Sequence, residues 1–457
     1  MKQYDAIIIG FGKGGKTLAA DLAKRNWKVA MIERSDKMYG GTCPNVGCIP
    51  TKFLVHEAKI SQYKDLSTFI EKASAYREAI RKKNELTARL RLNNYDRLAN
   101  NPNVTVYNGE ASFLSADTIS VRMENETIEI KGKEIFIDTG AAPVMPDISG
   151  LKESRNIYNS TTIMELEELP KHLLIIGGGY IGLEFASMYA GFGSKVTVIE
   201  SYPHLIPKED RDVAYSVKEA LEKKGVTFKI NIKIQSVYNS SDEVTLTYTD
   251  NKDGLPYFVE ADAVLVATGR RAYTQGLNLE AAGVKTDERG NIIVDEHLKT
   301  NVPHIWALGD VKGGLQFTYI SLDDYRIIRD ELFGDHKRTT HREPVAYSVF
   351  IDPPLSRIGI SEEEALKEGL DIKVAKMPAQ SNQRLKTLGE TEGLLKAIVD
   401  AKTGKILGCT LFCAESSEVI NTVAMAMKTG QDYTYVRDFI YTHPSVSEAL
   451  NDLFGSI

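Results

Sequence analysis

One local pattern occurs twice in this 457-residue chain: a short apolar strand, a glycine-rich turn, a helical stretch, a second strand and an acidic residue. In the first copy Tyr4 to Ile9 enters Gly10-Phe11-Gly12-Lys13-Gly14-Gly15, a helical pattern covers Lys16 to Arg25, and the strand Lys28 to Ile32 closes on Glu33. In the second, Leu173 to Ile176 enters Gly177-Gly178-Gly179-Tyr180-Ile181-Gly182, the helix continues to about Phe192, and Lys195 to Ile199 closes on Glu200. Gly10 to Gly177, Gly12 to Gly179, Gly15 to Gly182 and Glu33 to Glu200 are all the same distance, 167 positions. The first glycine of each turn permits a tight bend, the second lets a pyrophosphate approach the backbone, the third lets helix and strand pack closely, and the acid reaches a ribose hydroxyl. Two turns arising by chance would not share this register. The chain is therefore expected to be an α/β protein with two dinucleotide sites.

Directly after the first copy comes Gly40-Gly41-Thr42-Cys43-Pro44-Asn45-Val46-Gly47-Cys48-Ile49-Pro50-Thr51-Lys52. Five steps along a regular helix rise about 7.5 Å, beyond the roughly 4.4–6.8 Å that bridged Cα atoms span. Pro44, Gly47 and Pro50 are the residues expected where a helix is interrupted, so the segment is read as one that lets the two sulfurs meet. The chain has only four cysteines, and a close pair among so few is a candidate reaction centre rather than a framework. Lys52 lies one turn after Cys48 and would favour its thiolate. Cys409 and Cys413, in the apolar stretch Ile406 to Phe412 and just after it, are read as buried core.

With 62 acidic and 56 basic residues the net charge is −6, and no run of like charge is long enough for a nucleic-acid arm or an anionic membrane patch. No stretch reaches the roughly 20 apolar residues of a membrane span. The apolar run at Ala6 stops at Gly10, unlike a signal peptide, so a cytoplasmic protein is expected. Val55 to Leu98 reads as a helical hairpin, and Val104 to Ile137 as strands ending in Asp138-Thr139-Gly140. A related ending recurs at Thr268-Gly269-Arg270. Val302 to Asp310 is an apolar strand whose final carboxylate could simply cap the next helix. From Pro344 the pattern suggests alternating strands and two helices. His443 precedes Pro444, which biases it towards an extended conformation. Ser445 and Glu448 form a capping box, so Glu448 serves either the helix start or the histidine. Glu200 suits a free ribose 2′-hydroxyl, and with no arginine close by, NADH is the expected donor.

These motifs, in this order and over the whole length, resemble the class I pyridine nucleotide-disulfide oxidoreductases, such as lipoamide dehydrogenase, glutathione reductase and mercuric reductase. Gly10-Phe11-Gly12-Lys13, the stretch Gly313 to Tyr325 and Tyr347-Ser348-Val349-Phe350 are similar to the bacterial reactive-chlorine-resistance flavoenzymes, which include hypothiocyanous acid reductases. The resemblance implies an FAD-binding domain in two parts, 1–150 and 270–338, an NAD(P)H-binding domain at 151–269, and an α+β dimerisation domain at 339–457 that forms a homodimer. It implies a redox-active Cys43–Cys48 disulfide, with Cys48 next to the flavin and Cys43 meeting substrate. Lys52 and Glu184 would pair near the flavin, Tyr180 would cover the nicotinamide pocket, and Asp310 would bind the ribityl chain. Gly140 and Gly269 would lie where the chain passes between domains, and His443 with Glu448 would reach the other subunit's cysteines. No resident metal is expected. The implied reaction carries electrons from NADH through FAD and the cysteines to a small oxidant, with hypothiocyanous acid becoming thiocyanate. The competing readings are a lipoamide dehydrogenase-like or glutathione reductase-like disulfide reductase and a Cu(II) or Hg(II) reductase; the C-terminal stretch Asn451 to Ile457 lacks the cysteine pair expected of a mercuric reductase. A non-enzymatic redox sensor is a further alternative, against which the acid/base candidate His443 counts.

Overall fold

A computed structural model of the chain describes every residue except 65, 241, 242 and 343. The chain forms two compact units, the first made of Met1–Phe53, Ala79–Val144 and Gly269–His341, the second of Leu54–Glu78, Met145–Thr268 and Arg342–Ile457.

The first unit is built on a seven-stranded sheet. Val104–Asn108, Val29–Glu33, Lys2–Ile9 and Thr127–Ile137 run side by side and parallel, and Ile305–Ala307 joins Thr127–Ile137. Successive residues of a strand point to opposite faces, and each face has its own core. Tyr4, Ile7 and Ile9 pack with Ile135, Ile137 and Ile305 on one side. Ala6 and Ile8 pack with Leu18, Leu22, Trp306 and Ile328 on the other, beneath the helices Lys13–Lys24 and Thr318–Phe333. Burial on both faces explains why these strands read as unbroken apolar runs.

The second unit repeats the parallel arrangement in Val226–Ile230, Lys195–Glu200, His172–Ile176 and Ala263–Val266. It also holds an antiparallel five-stranded sheet of Tyr347–Val349, Leu355–Gly359, Ile406–Phe412, Leu394–Asp400 and Ile372–Pro378. This C-terminal region departs from the expectation of two helices. Ser416–Lys428 is a long helix, but Glu362–Lys367, Gln383–Leu388, Tyr433–Arg437 and Ala449–Gly455 are also helical. Each is two turns or less, too short to print an apolar period on the sequence. The helices Cys48–Gln62 and Phe69–Ala99 occupy the stretch read as helical.

Candidate active site

The two glycine turns share hydrogen bonds as well as spacing. Gly10 N–H donates to Ile32 O at 2.9 Å and Gly177 N–H to Ile199 O at 2.8 Å. The Glu33 carboxylate accepts Phe11 N–H at 3.1 Å and Ser35 N–H at 3.3 Å, while Glu200 accepts Gly178 N–H at 2.7 Å and Tyr202 N–H at 2.9 Å. Each acid is thus fastened to its own turn. Gly10 and Gly177 have φ of +101° and +112°, and a Cβ on either would lie within 2.6 Å of a carbonyl oxygen of the neighbouring strand end, Asp138 or Ala267. Only glycine fits.

At the first turn the buried Asp138 carboxylate accepts Gly15 N–H at 2.7 Å, and burial pushes its carboxyl well above the usual range. Burial also raises Glu33 and Asp310, the latter opposed by the nearby Arg270 and Lys312 cations. Asp310 caps neither neighbouring helix, since Leu308 and Phe317 hold those positions. Gly140 and Gly269 face open space where a Cβ would touch nothing within 4 Å. An acid at the strand end, exposed turn backbone and a carboxyl between two cations fit an FAD.

The cysteine segment rests against this turn, for a Cβ on Gly41 would come within 2.7 Å of Gly12 Cα. Asn45 ties the segment down, donating to Gly41 O at 2.8 Å and Tyr39 O at 3.0 Å while accepting from Arg91 Nε at 2.9 Å. The helix breaks where the sequence placed the break. Thr42–Val46 ends at Gly47, whose φ and ψ of −134° and −120° are not helical, and Cys48–Gln62 begins beyond it with Lys52 in its second turn. The thiols of Cys43 and Cys48 share a hydrogen bond. That bond, reinforced by burial, pushes the Cys43 thiol up, whereas the Thr318 hydroxyl and the Lys16 ammonium pull it down. Thr318 Oγ1 also lies 3.5 Å from Cys48 Sγ. Cys43 is half-buried and Cys48 exposed, so exposure alone does not order their roles. Burial lowers the Arg270 guanidinium, and the nearby Asp310 and Cys48 oppose that shift. Lys16, Arg270 and Thr318 bear on the thiols without having been given a role in the sequence, although Arg270 and Thr318 lay in the quoted stretches Thr268 to Arg270 and Gly313 to Tyr325.

At the second turn a Cβ on Gly179 would meet nothing within 4 Å, leaving its backbone open. A cavity of about 480 Å³ is lined in part by Ile176, at the end of the strand that enters the turn, and by Ser201, Lys233 and Thr268. The open turn backbone and the neighbouring cavity leave room for a second nucleotide. Tyr180 Oη donates to the buried Glu209 carboxylate at 2.6 Å, and Tyr347 Oη donates to the same oxygen. Glu184, one turn further along the helix, accepts Phe350 N–H at 2.8 Å.

His443 and Glu448 meet. Nδ1 of the exposed His443 lies 3.0 Å from each Glu448 oxygen, while Glu448 also accepts Ser445 N–H at 3.1 Å and its own N–H donates to Ser445 Oγ at 3.3 Å. The reciprocal Ser445–Glu448 bonds close the turn ahead of the helix Ala449–Gly455, whose N-cap is Glu448 itself, so the carboxylate serves the histidine and this turn rather than the helix start. Cys409 and Cys413 are buried in the apolar core beneath the C-terminal sheet, and burial raises both thiols. Among the described residues no cluster of metal-ligating side chains is present, and no helix is long and apolar enough to cross a membrane.

Residues 4–324 match the family model described as pyridine nucleotide-disulphide oxidoreductase, and residues 345–454 match the dimerisation domain of the same proteins. A probable pyridine nucleotide-disulfide oxidoreductase of Escherichia coli, RclA, is 48% identical over 458 residues, covering 100% of both chains. The mitochondrial dihydrolipoyl dehydrogenase of Pisum sativum is 34% identical, covering 98% of this chain and 90% of its own length. A mercuric reductase of Lysinibacillus sphaericus is 32% identical, covering 98% and 81%. Among solved structures, the Cu(II) complex of the HOCl-induced flavoprotein disulfide reductase RclA of Escherichia coli superposes with a TM-score of 0.93 at 47% identity, covering 100% of this chain and 99% of that one.

Proposed function

We propose that this chain, which belongs to the pyridine nucleotide-disulphide oxidoreductase family, reduces a small electrophilic oxidant, hypothiocyanous acid, to thiocyanate at Cys43 and Cys48. It is an FAD-dependent flavoprotein disulfide oxidoreductase. Its dimerisation domain points to a homodimer. The observation that carries the reading is the hydrogen-bonded thiol pair across the Gly47 break, with the Thr318 hydroxyl acting on both sulfurs.

FAD, when bound, supplies the path for an electron pair from the nicotinamide to the cysteines. Glu33, Asp310, Gly140 and the Gly10 to Gly15 turn are the residues that would hold it. NADH would sit on the Gly177 to Gly182 turn with its ribose on Glu200. The reduced pair then reacts with the oxidant. The Cys43 sulfur attacks the sulfur of hypothiocyanous acid, a sulfur–sulfur bond forms, the sulfur–oxygen bond breaks, and the departing hydroxide takes up the Cys43 proton as water. Cys48 next attacks the Cys43 sulfur, the disulfide closes and thiocyanate leaves. Two thiols are oxidised, one oxidant molecule is reduced, and one proton from Cys48 is released. Cys48 would face the cofactor and Cys43 the oxidant, the order that the family resemblance implies. His443, positioned by Glu448, would serve the cysteines of the other subunit, and the cytoplasm is the compartment that suits a dithiol cycle.

Cu(II) reduction is the second reading, because a similar protein was solved as a Cu(II) complex. A panel of hypothiocyanous acid, lipoamide, glutathione disulfide, Hg(II) and Cu(II) with NADH and the purified yellow protein separates these. Fastest turnover of hypothiocyanous acid, abolished in Cys43→Ser, is expected; fastest turnover of lipoamide or glutathione disulfide would overturn the proposal.

A further inference from the structure

Lys16 lies on the helix that leaves the first glycine turn, one helical turn beyond Gly12, to whose carbonyl its N–H donates at 3.0 Å. Gly12 is also where the cysteine segment touches the turn, through Gly41. Lys16 and Cys43 therefore depart from one backbone contact, the first by a helical turn and the second by two residues. The half-buried Lys16 side chain is held in place. Its Nζ donates to Asn94 Oδ1 at 2.6 Å, and the Asn94 amide is itself oriented because its Nδ2 donates to Leu90 O at 2.7 Å. That amide lies against the cysteine segment, for a Cβ on Gly40 would meet Asn94 Nδ2 at 2.7 Å and Pro44 Cγ at 2.8 Å. Pro44 is the neighbour of Cys43.

The charges around the two groups agree with this placement. Burial, Lys13 and Arg97 act to remove the Lys16 proton and bring its pKa down to about 8, while Cys43 and Asp138 act to keep it. At Cys43 the partner sulfur and burial favour the neutral thiol, and Thr318 and Lys16 favour the thiolate. Packing an ammonium beside two other cations opposes folding. What such a cation favours is a negative charge nearby, and the Asp138 carboxylate already has the Gly15 N–H.

We propose that Lys16 is the cation that holds Cys43 as a thiolate for the oxidant, and that Asn94 is the positioning residue that keeps Lys16 beside the cysteine segment. The inference rests on the reading of Cys43 as the thiol that meets the oxidant. Cys43 then gives its proton to solvent before the attack. The sulfur–sulfur bond forms, the sulfur–oxygen bond of the oxidant breaks with its electron pair on the departing hydroxide, and that hydroxide takes a proton from solvent as water. Lys16 stays protonated throughout and makes no bond to the substrate.

The test is alkylation of the dithiothreitol-reduced holoenzyme as a function of pH, with the label on the Cys43 peptide followed by mass spectrometry, in Lys16→Gln, Lys16→Arg and Asn94→Ala. Glutamine keeps a donor without the charge, and arginine keeps the charge. In Lys16→Gln the profile should move up by about one pH unit, and iodoacetamide at neutral pH should react about threefold more slowly, since the scarcer thiolate is also the better nucleophile. Iodoacetate is an anion and should lose about threefold more than iodoacetamide. Lys16→Arg should restore both readings, and Asn94→Ala should move both in the direction of Lys16→Gln by less. A merely structural lysine leaves the ratio of the two reagents unchanged; that result, an unmoved profile in Lys16→Gln, or no restoration by arginine would overturn the inference. Turnover of hypothiocyanous acid is followed alongside. If the alkylation pattern holds and the oxidant is not reduced, the substrate reading fails and Lys16 keeps its role; normal turnover without the alkylation pattern overturns the role of Lys16 alone.

Discussion

Thr318 Oγ1 stands 3.5 Å from Cys48 Sγ, and the same hydroxyl lowers the Cys43 thiol against the combined effect of its partner sulfur and burial. One hydroxyl therefore touches both members of the pair. Thr318→Val keeps the shape and removes the donor, so the Cys43 thiol should move up and its thiolate become scarcer. Alkylation of the reduced protein by iodoacetamide at fixed pH should slow about three- to tenfold. An unchanged rate would deny the hydroxyl this part.

His443 distinguishes substrates by their leaving groups. Thiocyanate is a weak base and departs without a proton, whereas an organic thiolate is better released with one. His443→Ala should cut kcat about 100-fold with a disulfide substrate but less than about tenfold with hypothiocyanous acid. Equal losses on the two substrates would contradict the mechanism.

Glu448 gives a pH signature. The Ser445 N–H, and after it His443, favour the ionised carboxylate and hold it below the ordinary Glu range. A depressed carboxylate contributes stability that is complete above its unfolded value of 4.5 and is lost as pH falls through the lower folded value. The Tm difference between the holoenzyme and Glu448→Gln should therefore be present at neutral pH and close by about pH 3. A difference that persists in acid would point to packing instead of charge.

Glu200 should decide the nucleotide. Its carboxylate occupies the Gly178 and Tyr202 N–H groups, so Glu200→Ser removes a negative charge and frees two donors that a 2′-phosphate can use. The NADPH to NADH ratio of kcat/KM should rise about tenfold or more. Equal use of both nucleotides by the unsubstituted enzyme would show that the carboxylate does not discriminate.

Gly179 and Gly182 separate binding from folding. A Cβ on Gly182 would lie 2.0 Å from Gly177 O, whereas one on Gly179 meets nothing. Gly182→Ala should destabilise the protein by about 2 kcal/mol or more, read as a fall in Tm. Gly179→Ala should leave Tm in place and raise the KM for NADH. If both variants changed only Tm, the open backbone at Gly179 would have no binding role.

The duplicated turns and the interrupted cysteine helix were legible because backbone geometry restricts their residues: few side chains but glycine tolerate φ near +100° beside a carbonyl, and Gly47 stands where the helix stops. The strands of the first unit were legible because burial on both faces leaves no polar positions. Glu209 was not, since its partners Tyr180 and Tyr347 come from distant segments and a lone carboxylate in a loop has no period or spacing. Lys16 likewise reads as one more basic residue on a helix, although burial lowers its pKa to about 8 and Cys43 is among the groups that act on it. The choice posed for Glu448 dissolved because the carboxylate has room for both His443 and the turn at Ser445. The short C-terminal helices left no pattern to read.

The short ribbon beside Gly140 and Gly269 has an evolutionary meaning. Ala141–Pro143 pairs antiparallel with Arg270–Ala272, and Val144 N–H donates to Gly269 O at 3.0 Å. The outgoing and returning ends of the chain are thus stitched side by side, as at the neck of a hairpin. Whatever is carried beyond that neck imposes only the slowly growing entropy of a longer loop on the first unit. Such a neck lets the length of the segment it closes drift at small cost, while the sheet, the cysteines and their supporting Thr318 stay in register.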